Sequence, residues 1–590
     1  METIQKPVRS SRAVLRSEAG RTRATWVTSL CAGLLGGVLL YLGYFPADQG
    51  WLAWFALVPF LFLVAHRFPG PACLGTAVGG LLFGTLAVQW VRFAAPQMYL
   101  AWVGLALLLT AHFVLFLLLA RWLVHSAGWP MLVAAPLVWT ALEYARAQID
   151  IGFAWYFLGH TQHAYLPVIQ AADLFGGYGI SFLILTVNVA LLEVLQEFLR
   201  QRAPDWLAGH LLCRTAGWRS VLPSLAVAGG LTLGTLLYGA WRLSQDTLQP
   251  GPTVALVQGN VPQEIRNDPE QGEVQNEHFE RLGQQAATAG ADLIVFPETS
   301  FTFHWLFPPT DAGVELTPLG EELLQQCQQF ATTRTRRWGT ALLVGINSLL
   351  LRGEEFQTYN SAILLGRDGK LLGCYHKCCR VPFGEYLPFG ETLPFMKYLS
   401  PYTFDYGIEP GWELTLFELP GQQVYRFAVL ICYEDTVPHL ARKFLRQCKA
   451  GEPLDFFLNI SNDGWFRGSE EHEQHLATAR FRAVETRRAL ARAVNMGISA
   501  VIDSNGRIVA LPGPTLRQSK AFPAIVTAQI PIDHRFSLYV WWGDVLPILC
   551  IALGLGAFSW TAAARFHGAL VRRDQQGVQG KPHPRTDPAP

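Results

Sequence analysis

Three reactive side chains in the C-terminal half of the chain each stand just past a short apolar run. Glu298 follows Leu293-Ile294-Val295-Phe296-Pro297, Lys377 follows the run Leu371–Tyr375, and Cys432 follows Phe427–Ile431. A carboxylate, an ammonium and a thiol form a complete nucleophilic set. The carboxylate takes the thiol proton, the sulfur attacks a carbonyl carbon, and the ammonium stabilises the oxyanion that develops. A free thiol has a pKa of about 8.5, so a base and a cation beside it are needed to make thiolate at neutral pH. Each residue alone has a plainer reading: a helix cap or surface carboxylate, a solvated lysine, and a cysteine packed as a small hydrophobe.

The elements around these residues favour a common site. Alternating apolar runs predict strands over Thr253–Gln258, Asp292–Phe296, Ala341–Ile346, Ser361–Leu365, Lys370–Tyr375, Tyr425–Ile431, Phe456–Ile460, Ser499–Asp503 and Ala524–Gln529. Helical patterns fall between them at Glu270–Ala289, Glu321–Arg336 and Glu471–Ala493. Strands alternating with helices predict a layered α/β domain. Reactive groups at strand ends fit such a domain, because the sheet holds the backbone while the loops beyond it are free to vary.

The rest of the chain is different material. Residues 26–250 hold 17 charged residues in 225, whereas residues 251–540 hold 58 in 290. A span needs about 20 apolar residues. Eight stretches come near that length: Trp26–Phe45, Trp51–Ala65, Ala72–Val91, Tyr99–Ala120, Trp129–Leu142, Phe175–Leu192, Val221–Ala240 and Asp544–Trp560. Pro130, Pro136 and the adjoining Glu143 make Trp129–Leu142 the weakest of them. Trp26–Phe45 has an apolar run longer than a signal-peptide core and is read as a retained first span. Basic residues at 6–23, 67, 121, 200–219 and 565–585 fall on alternate sides from the few at 92, 146 and 242. The positive-inside rule therefore places the N-terminus in the cytoplasm and residues 251–540 outside it. The net charge of +1 argues against a nucleic-acid binder. The expected divisions are a cytoplasmic basic segment (1–25), a seven-helix membrane domain (26–245), an extracytoplasmic domain (250–535), a last span (541–560) and a cytoplasmic Pro-rich disordered tail (561–590).

Four ordered words surround the reactive residues: Asp-Leu-Ile-Val-Phe-Pro-Glu-Thr (292–299), His-Lys-Cys-Cys-Arg-Val-Pro-Phe-Gly-Glu-Tyr (376–386), Ile-Cys-Tyr-Glu-Asp (431–435) and Asn-Ile-Ser-Asn-Asp-Gly-Trp-Phe (459–466). Together they resemble the nitrilase (carbon–nitrogen hydrolase) superfamily. The Val-Pro-Phe-Gly-Glu-Tyr segment and the flanking spans narrow the resemblance to its apolipoprotein N-acyltransferase family, from about Trp26 to Trp560. The Val-Gln-Gly-Asn opening (257–260) and a helix His475–Arg492 before Asn495-Met496-Gly497-Ile498 belong to the same pattern. The resemblance implies a polytopic α-helical membrane domain of about eight transmembrane helices plus an α-β-β-α sandwich. It implies Glu298 as general base, Lys377 as oxyanion stabiliser and Cys432 as the nucleophile that carries an acyl thioester. Glu385 matches a second glutamate near the thiol, and Tyr433 and Glu434 match supporting residues beside it. The implied partners are a phospholipid acyl donor, diacylglyceryl-modified apolipoproteins and membrane lipids, with no cofactor and no metal. A monomer in a bacterial inner membrane is consistent with this. The alternatives are a membrane-anchored amidase with the same triad and a lipid-binding protein with a dead enzyme domain. Seven preceding spans exceed what a tether needs, and the intact triad counts against a dead domain.

Two departures stand out. The family commonly carries Lys-Trp shortly after the Val-Gln-Gly opening, and this chain has Arg266-Asn267, leaving Trp305 or Phe307 to supply the aromatic contact. Cys374, His376, Cys378 and Cys379 cluster beside Lys377 without matching a common zinc spacing. Cys327 or Cys448 could join disulfides in an oxidising compartment, and Cys31, Cys73 and Cys550 read as packing residues within spans. Glu143 and Arg146, three apart on one helical face, read as a paired helix end or as part of a lipid-facing cleft with Tyr144, Phe153, Trp155, Tyr156 and Phe157.

Overall fold

The computed structural model describes residues 9–149, 152–212, 217–308, 316–352, 355–390, 392, 407–421 and 423–579. The apolar N-terminal half is helical: α1 (Arg9–Leu42), α2 (Pro69–Ala87), α3 (Met98–Arg121), α4 (Met131–Gln148), α5 (Ala172–Arg202) and α6 (Trp218–Leu243). Gly50–Ala65 lies between α1 and α2 as short apolar helical pieces. Among the described residues six helices are long and apolar enough to cross a membrane, five before the α/β region and one after it. The remaining two expected spans are helical but different in kind. Gly50–Ala65 covers about 24 Å as a 16-residue helix would, while α4 carries Pro136, Glu143 and Arg146 inside it. Both charges of α4 are buried, so it is shielded by its neighbours rather than by lipid. They are not used as a simple pair. Trp139 Nε1 and the Leu158 amide donate to Glu143 Oε1 at 2.8 and 2.7 Å, and Arg146 donates to the Tyr156 carbonyl. Close approach of α1 and α2 depends on glycine: a Cβ on Gly75 would lie 2.2 Å from the Ser29 carbonyl oxygen. Small residues of this kind let membrane helices pack backbone to backbone.

The charged half forms two sheets. Their strands are β1 (Gln249–Gln258), β2 (Leu293–Val295), β3 (Trp305–Leu306), β4 (Ala341–Arg352), β5 (Glu355–Leu365), β6 (Leu371–His376), β7 (Phe417–Leu419), β8 (Tyr425–Ile431), β9 (Phe456–Ser461), β10 (Ala489–Val494), β11 (Ala500–Ile502), β12 (Ile508–Ala510) and β13 (Ala524–Ile532). The first sheet runs β13-β1-β2-β4-β5-β6 with β3 on β4, and the second runs β12-β11-β10-β9-β8-β7. Strand alternation builds the layers. Val254, Leu256, Leu293 and Val295 point into the core shared with Phe427, Val429, Phe457 and Leu490 of the second sheet. Ala255, Val257, Ile294 and Phe296 point the other way, onto α7 (Gly272–Thr288) and α8 (Pro318–Trp338). The second sheet is covered by α9 (Pro438–Arg446) and α10 (Glu471–Thr486), completing an α-β-β-α sandwich. The last described element is α11 (Val545–Gln579), which corrects the expected disordered tail: the helix of the last span continues past residue 560 to Gln579.

Every residue of α10 is buried, unlike a typical outer-layer helix. One side packs on the sheet and the other docks on the membrane helices, with Phe481 and Val484 inside the membrane-side apolar core. Glu485 accepts the Gly177 amide of α5 at 2.9 Å. The expected helix Glu471–Ala493 is corrected here: it stops at Thr486, and β10 begins at Ala489. The break is Arg487, with φ +52°. Its guanidinium is held by Asp173, Gln170 and the Ser504 carbonyl. The disulfides that an oxidising compartment would permit are not formed at Cys327 and Cys448, which are free thiols.

Candidate active site

Glu298, Lys377 and Cys432 come from three different strand ends, β2, β6 and β8. Antiparallel pairing of β5 with β6 sets Ser361 opposite His376, so the chain just past β6 runs alongside Asn360. The Lys377 amide then donates to the Asn360 carbonyl at 2.8 Å. Lys377 is buried, and its Nζ lies 2.8 Å from Glu385 Oε1 and 3.5 Å from Glu298 Oε1. Asn360 Nδ2 donates to Glu298 Oε1 at 2.6 Å and reaches Glu385 Oε1 at 3.3 Å. The Asn462 amide donates to Glu298 Oε2 at 2.9 Å, and the Val381 amide to Glu385 Oε2 at 2.8 Å. Both carboxylates are therefore aimed at one ammonium. Burial alone would push that ammonium's pKa down, but Glu385, Cys432 and Glu298 outweigh it and hold Lys377 well above its ordinary value.

Cys432 opens a helical turn, Cys432–Thr436, directly after β8. Its φ is +54°, a conformation that costs a non-glycine residue about 1–3 kcal/mol and is found where surrounding structure enforces it. Thr299, next to Glu298, and Phe383, two before Glu385, are also left-handed, at +46° and +63°. Burial and then Glu298 push the Cys432 thiol well up, and Lys377 pulls it back only in part. The Cys432 surroundings thus favour the thiol over the thiolate, with Glu298 and Lys377 both close enough to act on its charge. This runs against the expectation of thiolate at neutral pH.

The other expected residues separate into distinct jobs. Glu385 joins the Lys377 cluster directly. Glu434 does not face it. Its buried carboxylate accepts the Cys378 and Cys379 amides at 2.7 and 2.9 Å, the Ile431 amide at 2.8 Å and the Tyr375 hydroxyl at 2.9 Å. It ties the strand end bearing Lys377 to the turn bearing Cys432, and burial pushes it up to about 7. Tyr433 points toward the membrane helices, its hydroxyl donating to the Gly152 carbonyl at 3.2 Å. That contact gives the aromatic stretch 153–157 its place: it is buried next to the Cys432 turn, with Trp155 5.5 Å from the His475 ring. Trp90 on the membrane side meets Phe466 at 4.6 Å.

Among the two candidates for the missing aromatic contact, Trp305 is corrected: it is buried in β3 against the helix-side core. Phe307 lies edge-on to His376. Arg266 donates to the Thr299 carbonyl at 2.6 Å and so braces the strained turn after Glu298. The cysteine cluster is occupied by local bonds. His376 Nδ1 meets Ser361 at 2.7 Å, and the Cys378 thiol donates to the His376 carbonyl. A different trio, Asp463, Glu471 and His475, brings potential ligand atoms within 4.8 Å of one another. Arg492 reaches Asp463 Oδ2 at 3.6 Å, and both His475 nitrogens face carboxylates, so protein cations already neutralise it.

Asn360, Asn459, Ser461 and Asn462 escaped the sequence reading as site residues. Asn459 Nδ2 donates to the Cys432 carbonyl at 3.1 Å. Their only sequence signal is position, since Asn459, Ser461 and Asn462 lie within a word recognised as a whole. The terminal words also meet: the Asn260 amide donates to the Asn495 carbonyl at 2.6 Å, and the Ser499 amide donates to Gln258 Oε1 at 2.9 Å.

Comparison with known proteins agrees with this architecture. Residues 36–190 match the apolipoprotein N-acyltransferase N-terminal domain, and residues 253–534 match the carbon–nitrogen hydrolase domain. An apolipoprotein N-acyltransferase from Geobacter metallireducens is 33% identical over 88% of this chain and 92% of its own length. Those from Chlorobaculum tepidum and Rhodopirellula baltica are 29% and 28% identical over 90% and 89% of this chain and 96% and 95% of theirs. Among solved structures, an amidase from a Nesterenkonia species is 18% identical, with a TM-score of 0.33, over 51% of this chain and 97% of its own. With a relative 33% identical over 88% of its length and two domain models matching its two halves, this multi-pass membrane chain belongs to the apolipoprotein N-acyltransferase family.

Proposed function

We propose that this protein transfers an acyl chain from a phospholipid, through a thioester on Cys432, to the α-amine of a diacylglyceryl-cysteine at a lipoprotein N-terminus. One observation carries the reading: a buried Glu298–Lys377–Glu385 cluster beside a strained cysteine, seated on the ends of membrane helices. In the first half-reaction Cys432 Sγ adds to the ester carbonyl while Glu298 takes the thiol proton. Lys377 Nζ stabilises the oxyanion. The tetrahedral species collapses, the C–O bond breaks, and Glu298 returns the proton to the lysophospholipid oxygen. In the second half the amine adds to the thioester, Glu298 takes an N–H proton, the C–S bond breaks, and the thiol is reprotonated as the amide forms. Glu385 holds Lys377 without competing for the thiol. Exclusion of water by the membrane-side aromatics favours amine over water as acceptor.

Orientation follows from the helix ends. Those beside the catalytic domain carry Arg92, Arg146 and Arg242, whereas Arg67, Arg121, Arg200, Arg202 and Arg219 lie at the opposite ends. The positive-inside rule supports a catalytic domain outside the cytoplasm, on the periplasmic face of an inner membrane. A small-amide hydrolase would gain nothing from lipid-facing helices packed against its nucleophile. The test is incubation with acyl-labelled phospholipid followed by mass spectrometry. An acyl group on Cys432, discharged by a diacylglyceryl-cysteine peptide and absent from Cys432→Ser, is the expected result. Transfer at the wild-type rate by Cys432→Ser would remove the thioester route.

A further inference from the structure

The turn that carries Cys432 and the strand end that faces Glu298 are separate pieces of chain, and something must hold them at working distance. The second piece is Ser461-Asn462-Asp463. Its Asn462 amide is on Glu298 at 2.9 Å, and the Ser461 hydroxyl donates to Asp463 Oδ1 at 2.6 Å while lying within hydrogen-bonding reach of the Cys432 thiol. The first piece carries Asp435, three residues after Cys432. Two buried side chains bridge them: Arg492, which pairs with Asp435 and reaches Asp463 Oδ2 at 3.6 Å, and His475. His475 Nε2 lies 2.7 Å from Asp435 Oδ1, and His475 Nδ1 lies 3.2 Å from Asp463 Oδ1.

We infer that His475 is a positioning residue for acyl transfer, an imidazolium that staples the nucleophile's turn to the strand end holding the base. Two carboxylates on opposite ring nitrogens fit only a ring that donates from both. Burial and Arg492 oppose the charge, but Asp435 and Asp463 outweigh them and raise His475 to about 10. The titratable and charged groups facing the ring are Asp435 on the Cys432 turn, Asp463 beyond β9, Glu471 and His472 on its own helix, and Arg492 on β10; burial lowers His472 to about 4. Arg492 also pairs with Asp435. Lys520 pairs with Glu473 at the edge of this group. A metal is not needed to explain the cluster. His475 also sits on α10, whose far end accepts the Gly177 amide through Glu485. The staple therefore stands on the helix that docks the catalytic domain to the membrane helices.

The inference rests on the Cys432 acylation reading, so the test has one arm with lipid and one without. The full-length enzyme in lipid nanodiscs is given labelled phospholipid, and acyl-Cys432 formation is timed by mass spectrometry. Separately, iodoacetamide labelling of the Cys432 peptide is followed against pH. For His475→Gln the acylation rate should fall on the order of tenfold to a hundredfold, as a small misplacement of a nucleophile does. The phospholipid KM should stay within about twofold, because the ring contacts no substrate. The labelling curve should move to higher pH in His475→Gln, where a cation is lost, and to lower pH in Asp463→Asn, where an anion is lost. A packing role alone would not move the two curves in opposite directions. Ser461→Ala leaves every buried charge in place and should still slow acylation. Curves unmoved in both charge variants, or wild-type acylation by Ser461→Ala when His475→Gln does not fold, would overturn the staple. Failure of the wild-type enzyme to form acyl-Cys432 would overturn the acylation chemistry instead, and the lipid-free labelling arm would still judge His475.

Discussion

Replacing Lys377 with methionine removes the one cation shared by Glu298 and Glu385 while keeping the side chain's length. The ammonium is buried and lies 2.8 and 3.5 Å from the two carboxylates. Deleting one partner of a buried ion pair costs about 3–5 kcal/mol. Here each carboxylate keeps other donors, Asn360 and the Asn462 amide for Glu298 and the Val381 amide for Glu385. Those bonds put the expected loss near the lower end, about 3 kcal/mol, or a fall of roughly 6–12 °C in the thermal midpoint of a domain this size. The chemical effect is separate. Removing one oxyanion donor costs about 10²–10³ in rate. The Cys432 thiol, pushed up by burial and Glu298, also loses the charge that pulls it back, so its alkylation should slow at a given pH. The assay pairs a thermal melt of the nanodisc-embedded enzyme with single-turnover acylation of Cys432 from labelled phospholipid. Acylation within tenfold of wild type in a folded Lys377→Met protein would refute the oxyanion role, and an unchanged melt would refute the ion-pair accounting.

Three other perturbations separate the remaining roles. Glu298→Gln should abolish measurable acyl transfer, yet move Cys432 alkylation to lower pH. Glu298 is the largest charge-based cause holding the thiol up, so removing it lowers the pKa; a shift to higher pH would contradict the assignment. Glu434→Gln sets an amide N–H against one of the backbone donors that the carboxylate now accepts, at about 1–3 kcal/mol of stability. It should slow acylation through the altered spacing of Lys377 and Cys432, and a hydrogen-exchange map should show the change at Ile431, Cys378 and Cys379. Arg487→Met removes the buried contacts to Asp173 and Gln170 at the junction, about 3–5 kcal/mol. Limited proteolysis should then cut near 487–505 in the variant first, and an unaltered cleavage pattern would argue against the junction's dependence on this arginine.

Local chemistry carried much of the reading. The strands over 425–431 and 456–460, the reactive groups at three strand ends and the apolar helices before residue 250 are properties of neighbouring residues, and periodicity records them directly. Edge strands such as Trp305–Leu306, Phe417–Leu419 and Ile508–Ala510 went unread because two or three residues carry no period.

What the chain decides by itself is which residues can react and in what order they occur, since side-chain type and strand-end position are local facts. The tertiary structure decides which of them meet and what each then does. Glu434, two residues past Cys432, acts as a tie to residues 378 and 379 rather than as part of the charge cluster. Asn360 and His475, unremarkable in their own stretches, sit at the centres of two buried networks. Arg487 stands where a helical sequence gives way to a strand, and its partner, Asp173, comes from a membrane helix. A buried hydrogen bond or ion pair depends on groups brought together from distant parts of the chain, and no pattern of neighbours encodes that distance.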